Sequence, residues 1–387
     1  MNTNYNYEDI RPYRDEEVKE AIERMTSDPQ VISVSRAIFP DRDPQEVIQW
    51  LRGMRSIYEF QGQLIAPLIL HSLDLTGSTY RLSGTEHIFS KKKQLFISNH
   101  RDIIMDAGIL NSLMHKHGIT TTENAIGDNL CARPWIADAL KLNKSFLVRR
   151  SGTKRELFEA FQTLSHYIRE AITTERTSIW IAQREGRTKD SDDRTQESLL
   201  KMFSISASGS IKQSFIDLNI TPISITYKYD SCDYLKAKEF QQKRDDAEFK
   251  KSAEDDIESM GVGVRGFKGD VTLQITPCIS EEIDKYVDEA DDRQTVIDKV
   301  ATIIDRKIHE NYRIFPLNYV AMDNLRGTTE HLGVQYTKEE KEEFETYVAK
   351  QIDKINLPNK DIAFLQGRFW LMYANPLINQ LAAKGGA

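Results

Sequence analysis

Short β-branched or aromatic runs alternate with helical stretches from Gln94 onward, and this alternation constrains the fold more than any other feature of the chain. The runs cover residues 95–98, 124–127, 145–149, 178–183, 220–227 and 270–276. Such alternation is typical of βαβ units, in which consecutive strands run parallel and the connecting helices cover the faces of the sheet. We therefore predict an α/β fold with a mostly parallel mixed sheet flanked by helices.

Helical patterns without evident chemistry precede and follow this alternation. We predict a helical N-terminal region over residues 1–88, an α/β domain over residues 89–280 and a helical C-terminal region over residues 281–387. Within the α/β domain, the charged stretch at residues 236–268 is expected to be a helical insertion whose charges face water.

The composition is that of a globular protein and excludes several functional classes. Of the 387 residues, 40% are hydrophobic and 29% are charged, which is enough to bury a core. The net charge of -7 argues against nucleic-acid binding, because a phosphate backbone requires a clustered basic excess. The three cysteines are far apart and form no CxxC pair, so we expect a reducing cytosol and neither a disulfide framework nor a zinc site.

The first run ends in a turn that carries a histidine and two aspartates, His100, Asp102 and Asp106. A histidine can take a proton from an alcohol near neutral pH, and a carboxylate beside it fixes the tautomer and stabilises the imidazolium. Taken alone, such a turn is more often a helix cap than a catalytic site.

Further charged residues follow the later runs, at the positions where ligands of open α/β sheets bind. After the third and fourth runs stand Arg149, Arg150, Glu185, Gly186, Arg187 and Lys189. The cations suit a phosphate, and the glycine allows close approach of the backbone to a ligand. Each of these turns alone could be solvated surface. Their occurrence in order on consecutive units favours one shared site.

These blocks, in this order, resemble the glycerolipid acyltransferase family, which includes the glycerol-3-phosphate and lysophosphatidate acyltransferases. The matching residues are Asn99, His100 and Asp106 in the first block, Arg150 in the second, Glu185-Gly186-Arg187-Thr188 in the third and Ile220-Thr221-Pro222-Ile223 in the fourth. The resemblance runs from about residue 94 to 279, and residues 311–318 look like a segment of the glycerol-3-phosphate branch.

Two departures from the family pattern leave assignments open. The family separates its histidine and aspartate by four residues, whereas His100 and Asp106 have five between them and Asp102 follows after one. We favour Asp106, because the residues after it continue as the family's helix does, and keep Asp102 as the alternate. The third block lacks the usual proline and one residue, so whether Arg187 or Lys189 meets the phosphate stays open.

The resemblance implies transfer of a fatty acyl chain from acyl-CoA or acyl carrier protein to a hydroxyl of glycerol-3-phosphate in phospholipid synthesis. It implies His100 as the base, Asp106 as its partner, and no metal or cofactor beyond the acyl donor. The expected substrate-binding residues are Asn99, Arg101, Arg149, Arg150, Glu185, Gly186, Arg187 and Lys189. The alternatives are lysophosphatidate or a lipidated amino acid as acceptor, or a non-catalytic lipid-binding protein on the same fold.

The substrates and products of such a reaction lie in bilayers, so we expect a cytoplasmic protein that binds peripherally to the inner face of the membrane. The first six residues lack a secretory signal, and the longest aliphatic stretch, residues 64–70, is far shorter than the roughly 20 residues of a spanning helix. Two segments are candidates for membrane contact, residues 57–70 and 364–373. The second places aromatic residues beside Arg368, and packing on the core is the alternative for each.

Overall fold

The computed structural model describes residues 5–131, 133–207 and 209–385, which contain a seven-stranded sheet with helices on both faces. The strands are β1 (Thr79–Ser83), β2 (Leu95–Ser98), β3 (Glu123–Gly127), β4 (Ser145–Val148), β5 (Ile179–Ala182), β6 (Ile220–Tyr227) and β7 (Asp270–Ile275). Their order is β1-β7-β6-β2-β5-β3-β4, and every pair is parallel except β6 with β7. The predicted α/β fold with a mostly parallel mixed sheet is confirmed.

The helices of the described residues follow the predicted alternation. They are α1 (Val18–Ser27), α2 (Pro29–Ile38), α3 (Pro44–Gly53), α4 (Ile57–Glu59), α5 (Ala66–Leu75), α6 (Met105–Lys116), α7 (Pro134–Leu142), α8 (Lys154–Thr173), α9 (Glu197–Phe203), α10 (Ile211–Ile216), α11 (Asp233–Asp245), α12 (Ala253–Arg265), α13 (Ser280–Tyr286), α14 (Arg293–Glu310), α15 (Pro316–Arg326), α16 (Lys338–Asp353) and α17 (Ile362–Ala383). A π-helical segment, Phe60–Ile65, joins α4 to α5.

Strand β2 lies in the middle of the sheet, paired with β5 on one side and β6 on the other. All four residues of β2 and all eight of β6 are buried, as expected for strands covered on both faces. Helices α8, α9 and α14 cover one face, and α5 and α6 cover the other. The parallel strands β2, β3, β4 and β5 therefore end at one edge of the sheet, where the sequence placed its candidate residues.

One strand lies inside the region that the sequence predicted to be helical. Strand β1 pairs with β7 at the edge of the sheet, with Thr79 opposite Asp270. Its five residues are mostly polar and none is fully buried, so its sequence lacks the apolar run that marks the other strands. Pairing with β7 decides its conformation.

The charged insertion packs against the body of the domain instead of only facing water, which corrects the expectation for residues 236–268. The Lys236 ammonium is buried in an ion pair with Asp230. Lys268 is also buried and donates to the carbonyl groups of Gly263 and Gly266, and burial lowers the pKa of its ammonium. These lysines are buried because their charges find internal partners, and hydrophobic patterning cannot reveal such partners.

Helix α17 is a core helix, which overturns the expectation that the aromatic residues of its first half contact a membrane. Phe369 and Tyr373 are buried in a cluster with α15 and α16. The hydroxyl groups of Tyr373 and Tyr347 donate to the Asp233 carboxylate at 2.7 and 2.6 Å, and burial raises the pKa of Asp233 to about 7. Trp370 is only partly buried, at the margin of the same cluster.

None of the helices in the described part of the chain is both long enough and apolar enough to span a bilayer.

Candidate active site

The segment that leads from β2 into the first turn of α6, residues 99–106, brings an imidazole and a buried carboxylate into contact, and we name it the histidine turn. His100 Nδ1 lies 2.8 Å from Asp106 Oδ2. Because an ionised carboxylate only accepts, Nδ1 carries the proton and Nε2 presents its lone pair. Nε2 has no hydrogen-bond partner among the described residues, and the His100 side chain is 13% exposed while that of Asp106 is 0% exposed. This imidazole can therefore accept a proton from a bound alcohol.

The Asp106 carboxylate is held from several directions. Its Oδ2 also accepts the backbone N–H groups of Arg101 and Asp102 at 2.7 and 3.1 Å, and its Oδ1 accepts the Tyr227 hydroxyl at 2.8 Å. Burial by itself would raise the pKa of Asp106, but the hydrogen bonds from His100 and from the backbone outweigh it and hold the pKa below its ordinary value. Burial raises the pKa of Tyr227 well above its ordinary value, so this hydroxyl remains a donor.

Asp102, the alternate partner of the histidine, has a different place in the turn. Its Oδ1 accepts the backbone N–H groups of Ile104 and Met105, both at 2.9 Å, and so caps the start of α6. The backbone of Gly263 in α12 packs against the Asp102 carboxylate. A Cβ atom at Gly263 would lie 2.1 Å from Asp102 Oδ2, which is too close for a side chain. The structure thus places Asp106, and not Asp102, against His100.

Asn99 and Arg101, both predicted to bind substrate, are occupied by partners within the protein. The Asn99 side chain exchanges two hydrogen bonds of 2.8 Å with the backbone of Ile225. Arg101 is buried, and its Nη2 lies 2.6 Å from Asp193 Oδ2. Both side chains are bonded within the protein in this arrangement, and their contact with a substrate stays a prediction. The physical reason for these internal bonds is that both neighbours of His100 point into the domain.

Arg150 and Glu185 meet at the edge of the sheet, although they follow different strands. Arg150 Nη1 lies 2.9 Å from Glu185 Oε1, and both side chains are accessible to solvent. The Arg150 backbone N–H donates to Asp128 Oδ1 at 3.0 Å, which anchors the end of β4 beside the end of β3. Arg149 pairs instead with Glu156 in the first turn of α8.

Arg187 and Lys189 differ in what their charges contact. Arg187 lines a shallow cleft between α11 and α12, and its buried Nη1 has no hydrogen-bond partner among the described residues. Lys189 is paired with Glu239 of α11 at 3.0 Å. Gly186, immediately before Arg187, has a φ of +67°, a conformation that favours glycine. Of the two cations, Arg187 is the one with an N–H group left for an anion.

Two residues that contact the histidine pair gave no usable signal in the sequence. Trp180 in β5 presents its ring edge-on to His100, with centroids 6.2 Å apart, and its Nε1 donates to Ser98 Oγ at 3.1 Å. Tyr227, at the end of β6, reaches Asp106 from a strand that comes 121 residues later. Both occur within apolar runs, where an aromatic residue predicts only a core position.

The described residues contain no group of three or more histidine, cysteine or acidic side chains placed to hold a metal ion.

Comparison with known proteins identifies the domain that carries this geometry. Residues 79–226, from β1 to the end of β6, match the family described as Acyltransferase. This domain belongs to the acyltransferase family. It contains His100 and Asp106 together with the candidate acceptor residues Arg150 and Arg187, and the match agrees with the acyltransferase part of the resemblance seen in the sequence.

Among solved structures, the chain is similar to the 1-acyl-sn-glycerophosphate (LPA) acyltransferase PlsC from Thermotoga maritima. The sequences are 9% identical, the alignment covers 73% of this chain and 95% of that chain, and the TM-score is 0.34. No curated protein matches the sequence.

Proposed function

We propose that this acyltransferase moves a fatty acyl chain from a thioester, acyl-CoA or acyl carrier protein, to a hydroxyl of glycerol-3-phosphate in phospholipid synthesis. The observation that carries the proposal is the hydrogen-bonded pair of His100 and Asp106 inside an acyltransferase domain. Glycerol-3-phosphate is favoured as the acceptor by the resemblance of residues 311–318 to that branch of the family and by the cations at the neighbouring strand ends.

The proposed mechanism needs one base and a positioned acceptor. His100 Nε2 takes the proton of the acceptor hydroxyl while the oxygen attacks the thioester carbonyl carbon. The new C–O bond forms, the C–S bond breaks, and the leaving thiolate takes the proton from the imidazolium that Asp106 stabilises. General base catalysis contributes about 10²–10⁴-fold, so orientation of the bound acceptor supplies much of the remaining acceleration. The scheme uses no metal and no cofactor beyond the acyl donor.

A transfer assay with a matched set of substrates tests this proposal. Acyl-CoA and acyl carrier protein, each carrying a labelled acyl chain, are incubated with the protein and one acceptor at a time. The acceptors are glycerol-3-phosphate, lysophosphatidate and a lipidated amino acid that has a free hydroxyl. We expect label in a glycerol-3-phosphate ester. Transfer only to one of the other acceptors would change the acceptor class, and binding of lipid without transfer to any acceptor would favour a non-catalytic lipid-binding protein.

Replacing either acceptor cation should weaken binding of the phosphorylated acceptor. We expect Arg150→Ala and Arg187→Ala each to raise the KM for glycerol-3-phosphate about ten- to hundredfold, because a charge-assisted hydrogen bond contributes about 1.5–3 kcal/mol. The KM for the acyl donor should change little. Arg155→Ala is the matched control, since this arginine is 88% exposed and pairs with Glu159 four residues later in α8. Unchanged acceptor kinetics in both variants would place the phosphate elsewhere.

Peripheral attachment to a membrane is also part of the proposal, and the burial of Phe369 and Tyr373 leaves residues 57–70 as the candidate contact. Tyr58 is 69% exposed in this segment, and Leu75, five residues beyond the segment at the end of α5, is 74% exposed and extends the proposed contact. Each would gain about 1.5–3 kcal/mol on burial in a headgroup region.

We expect Tyr58→Ser with Leu75→Ser to reduce co-sedimentation with phospholipid vesicles. Val334→Ser should leave co-sedimentation unchanged, although Val334 is 79% exposed, because it lies in the C-terminal region outside the proposed contact. Equal binding by the double variant and the unchanged protein would exclude this surface.

A further inference from the structure

Four side chains from three parts of the chain converge on one fully buried carboxylate, that of Asp193. Arg101 Nη1 and Thr188 Oγ1 donate to its Oδ1 at 3.1 and 2.6 Å. Arg101 Nη2 lies 2.6 Å from Oδ2, which also accepts the Tyr312 hydroxyl and, at 3.5 Å, Asn99 Nδ2. The acyltransferase mechanism proposed above assigns no role to Asp193.

Two of these donors are the immediate neighbours of His100 in the chain. Asn99 precedes it, and Arg101 follows it. The backbone N–H of Arg101 donates to Asp106 Oδ2 at 2.7 Å, the same oxygen that accepts from His100 Nδ1. A displacement of the Arg101 side chain therefore moves a donor of the carboxylate that orients the imidazole.

The other two donors join the histidine turn to distant segments. Thr188 belongs to the turn that also carries Glu185 and Arg187, and Tyr312 follows α14 in the C-terminal region. The guanidinium of Arg101 also lies over the Tyr312 ring, 5.8 Å from its centroid. One buried charge thus connects the candidate base, the candidate acceptor turn and the C-terminal region.

We infer that Asp193 is a positioning residue: its ion pair with Arg101 sets the geometry of the histidine turn and holds the acceptor turn against it. Loss of one partner of a buried charge pair leaves the other charge uncompensated, so the two side chains are held together. Asp193 touches no reacting atom and acts through His100 and Asp106. The inference therefore rests on the proposed function.

Asp193→Asn removes the charge and keeps the size of the side chain. We expect kcat for acyl transfer to fall about ten- to hundredfold, the same range as for partners that orient metal-binding histidines. The KM values for donor and acceptor should stay within about twofold of those of the unchanged protein. Asp323→Asn is the matched control. Asp323 in α15 is a fully buried carboxylate that accepts the Tyr336 hydroxyl at 2.8 Å and the backbone N–H of His331 at 3.0 Å, far along the chain from the histidine turn. Its replacement should leave kcat within about twofold.

A double-mutant cycle separates positioning from general destabilisation. Arg101→Gln and Asp193→Asn should each lower kcat, and the double variant should be no slower than the worse single variant, because it leaves no unpaired charge. Independent, multiplying losses would overturn the inference.

Tyr312→Phe covers the case in which Asp193→Asn does not fold, since it removes one donor and no charge. It should lower kcat about two- to tenfold at unchanged KM, and an unchanged kcat would count against the inference.

Failure of this inference and failure of the proposed function give different results. If His100→Ala abolishes transfer and Asp193→Asn leaves kcat unchanged, the inference is wrong and the proposed function stands. If His100→Ala leaves transfer intact, both are wrong, because Asp193 is proposed to act through that imidazole.

Discussion

His100→Ala is expected to lower kcat for acyl transfer by about 10²–10⁴-fold, the contribution of a positioned general base, while the thermal unfolding midpoint stays close to that of the unchanged protein. The imidazole is the group in the histidine turn that presents a lone pair to a ligand. After its loss, Asp106 still accepts from three donors, the hydroxyl of Tyr227 and two backbone N–H groups. The buried carboxylate therefore keeps hydrogen-bond partners, and the fold should not be destabilised.

His117→Ala provides the control for the loss of His100, because His117 lies exposed just after α6. Initial rates with saturating donor and acceptor measure kcat for both variants. Comparable rates in the two would remove the catalytic role of His100.

Asp106→Asn is expected to reduce kcat by up to about 10⁴-fold, because an amide does not hold the imidazole with its proton on Nδ1. The amide would also meet the N–H groups of Arg101 and Asp102, two donors that now share Asp106 Oδ2 with His100. Circular dichroism and the thermal midpoint establish that the variant is folded before its rate is compared.

Asp102→Asn is the matched control for Asp106→Asn, since it makes the same chemical change four residues earlier in the same turn. Asparagine caps a helix about as well as aspartate, so α6 should keep its start and the rate should fall only a few-fold. A larger loss of kcat in Asp102→Asn than in Asp106→Asn would show that the orienting acid is wrongly assigned.

The alternation of apolar runs and helical stretches was sufficient to predict the fold class. A parallel strand buried on both faces is an unbroken apolar run, and β2 and β6 have this pattern. Strand β1 was missed because an edge strand with polar residues has no such run and depends on its partner, β7. The lysines of the insertion were misjudged for a related reason: Lys236 is buried by an ion pair whose partner is a tertiary contact.

Local sequence named the residues of the candidate site better than it named their contacts. It placed His100 at the end of one strand, Arg150 at the end of a second and Glu185 after a third. Because the ends of parallel strands lie at one edge of the sheet, these residues were expected to lie near one another, and Arg150 does pair with Glu185. It did not show that Arg101 turns inward to Asp193, because that contact spans 92 residues. The aromatic residues of α17 have the composition of an interfacial helix, yet Phe369 and Tyr373 are core residues.

The sequence by itself thus determined the α/β class, the order of the blocks and the histidine with its nearby acids, since these depend on residue type and on spacing along the chain. Only the tertiary structure decided that Asp106 is the partner of His100, because Asp102 is committed to the N-terminus of α6 and Tyr227 reaches Asp106 from β6. It also decided which charges are paired inside the protein and that Arg187 keeps an N–H group without a partner among the described residues. Burial and hydrogen bonding between distant segments set both, and neither is a property of a residue and its neighbours in the chain.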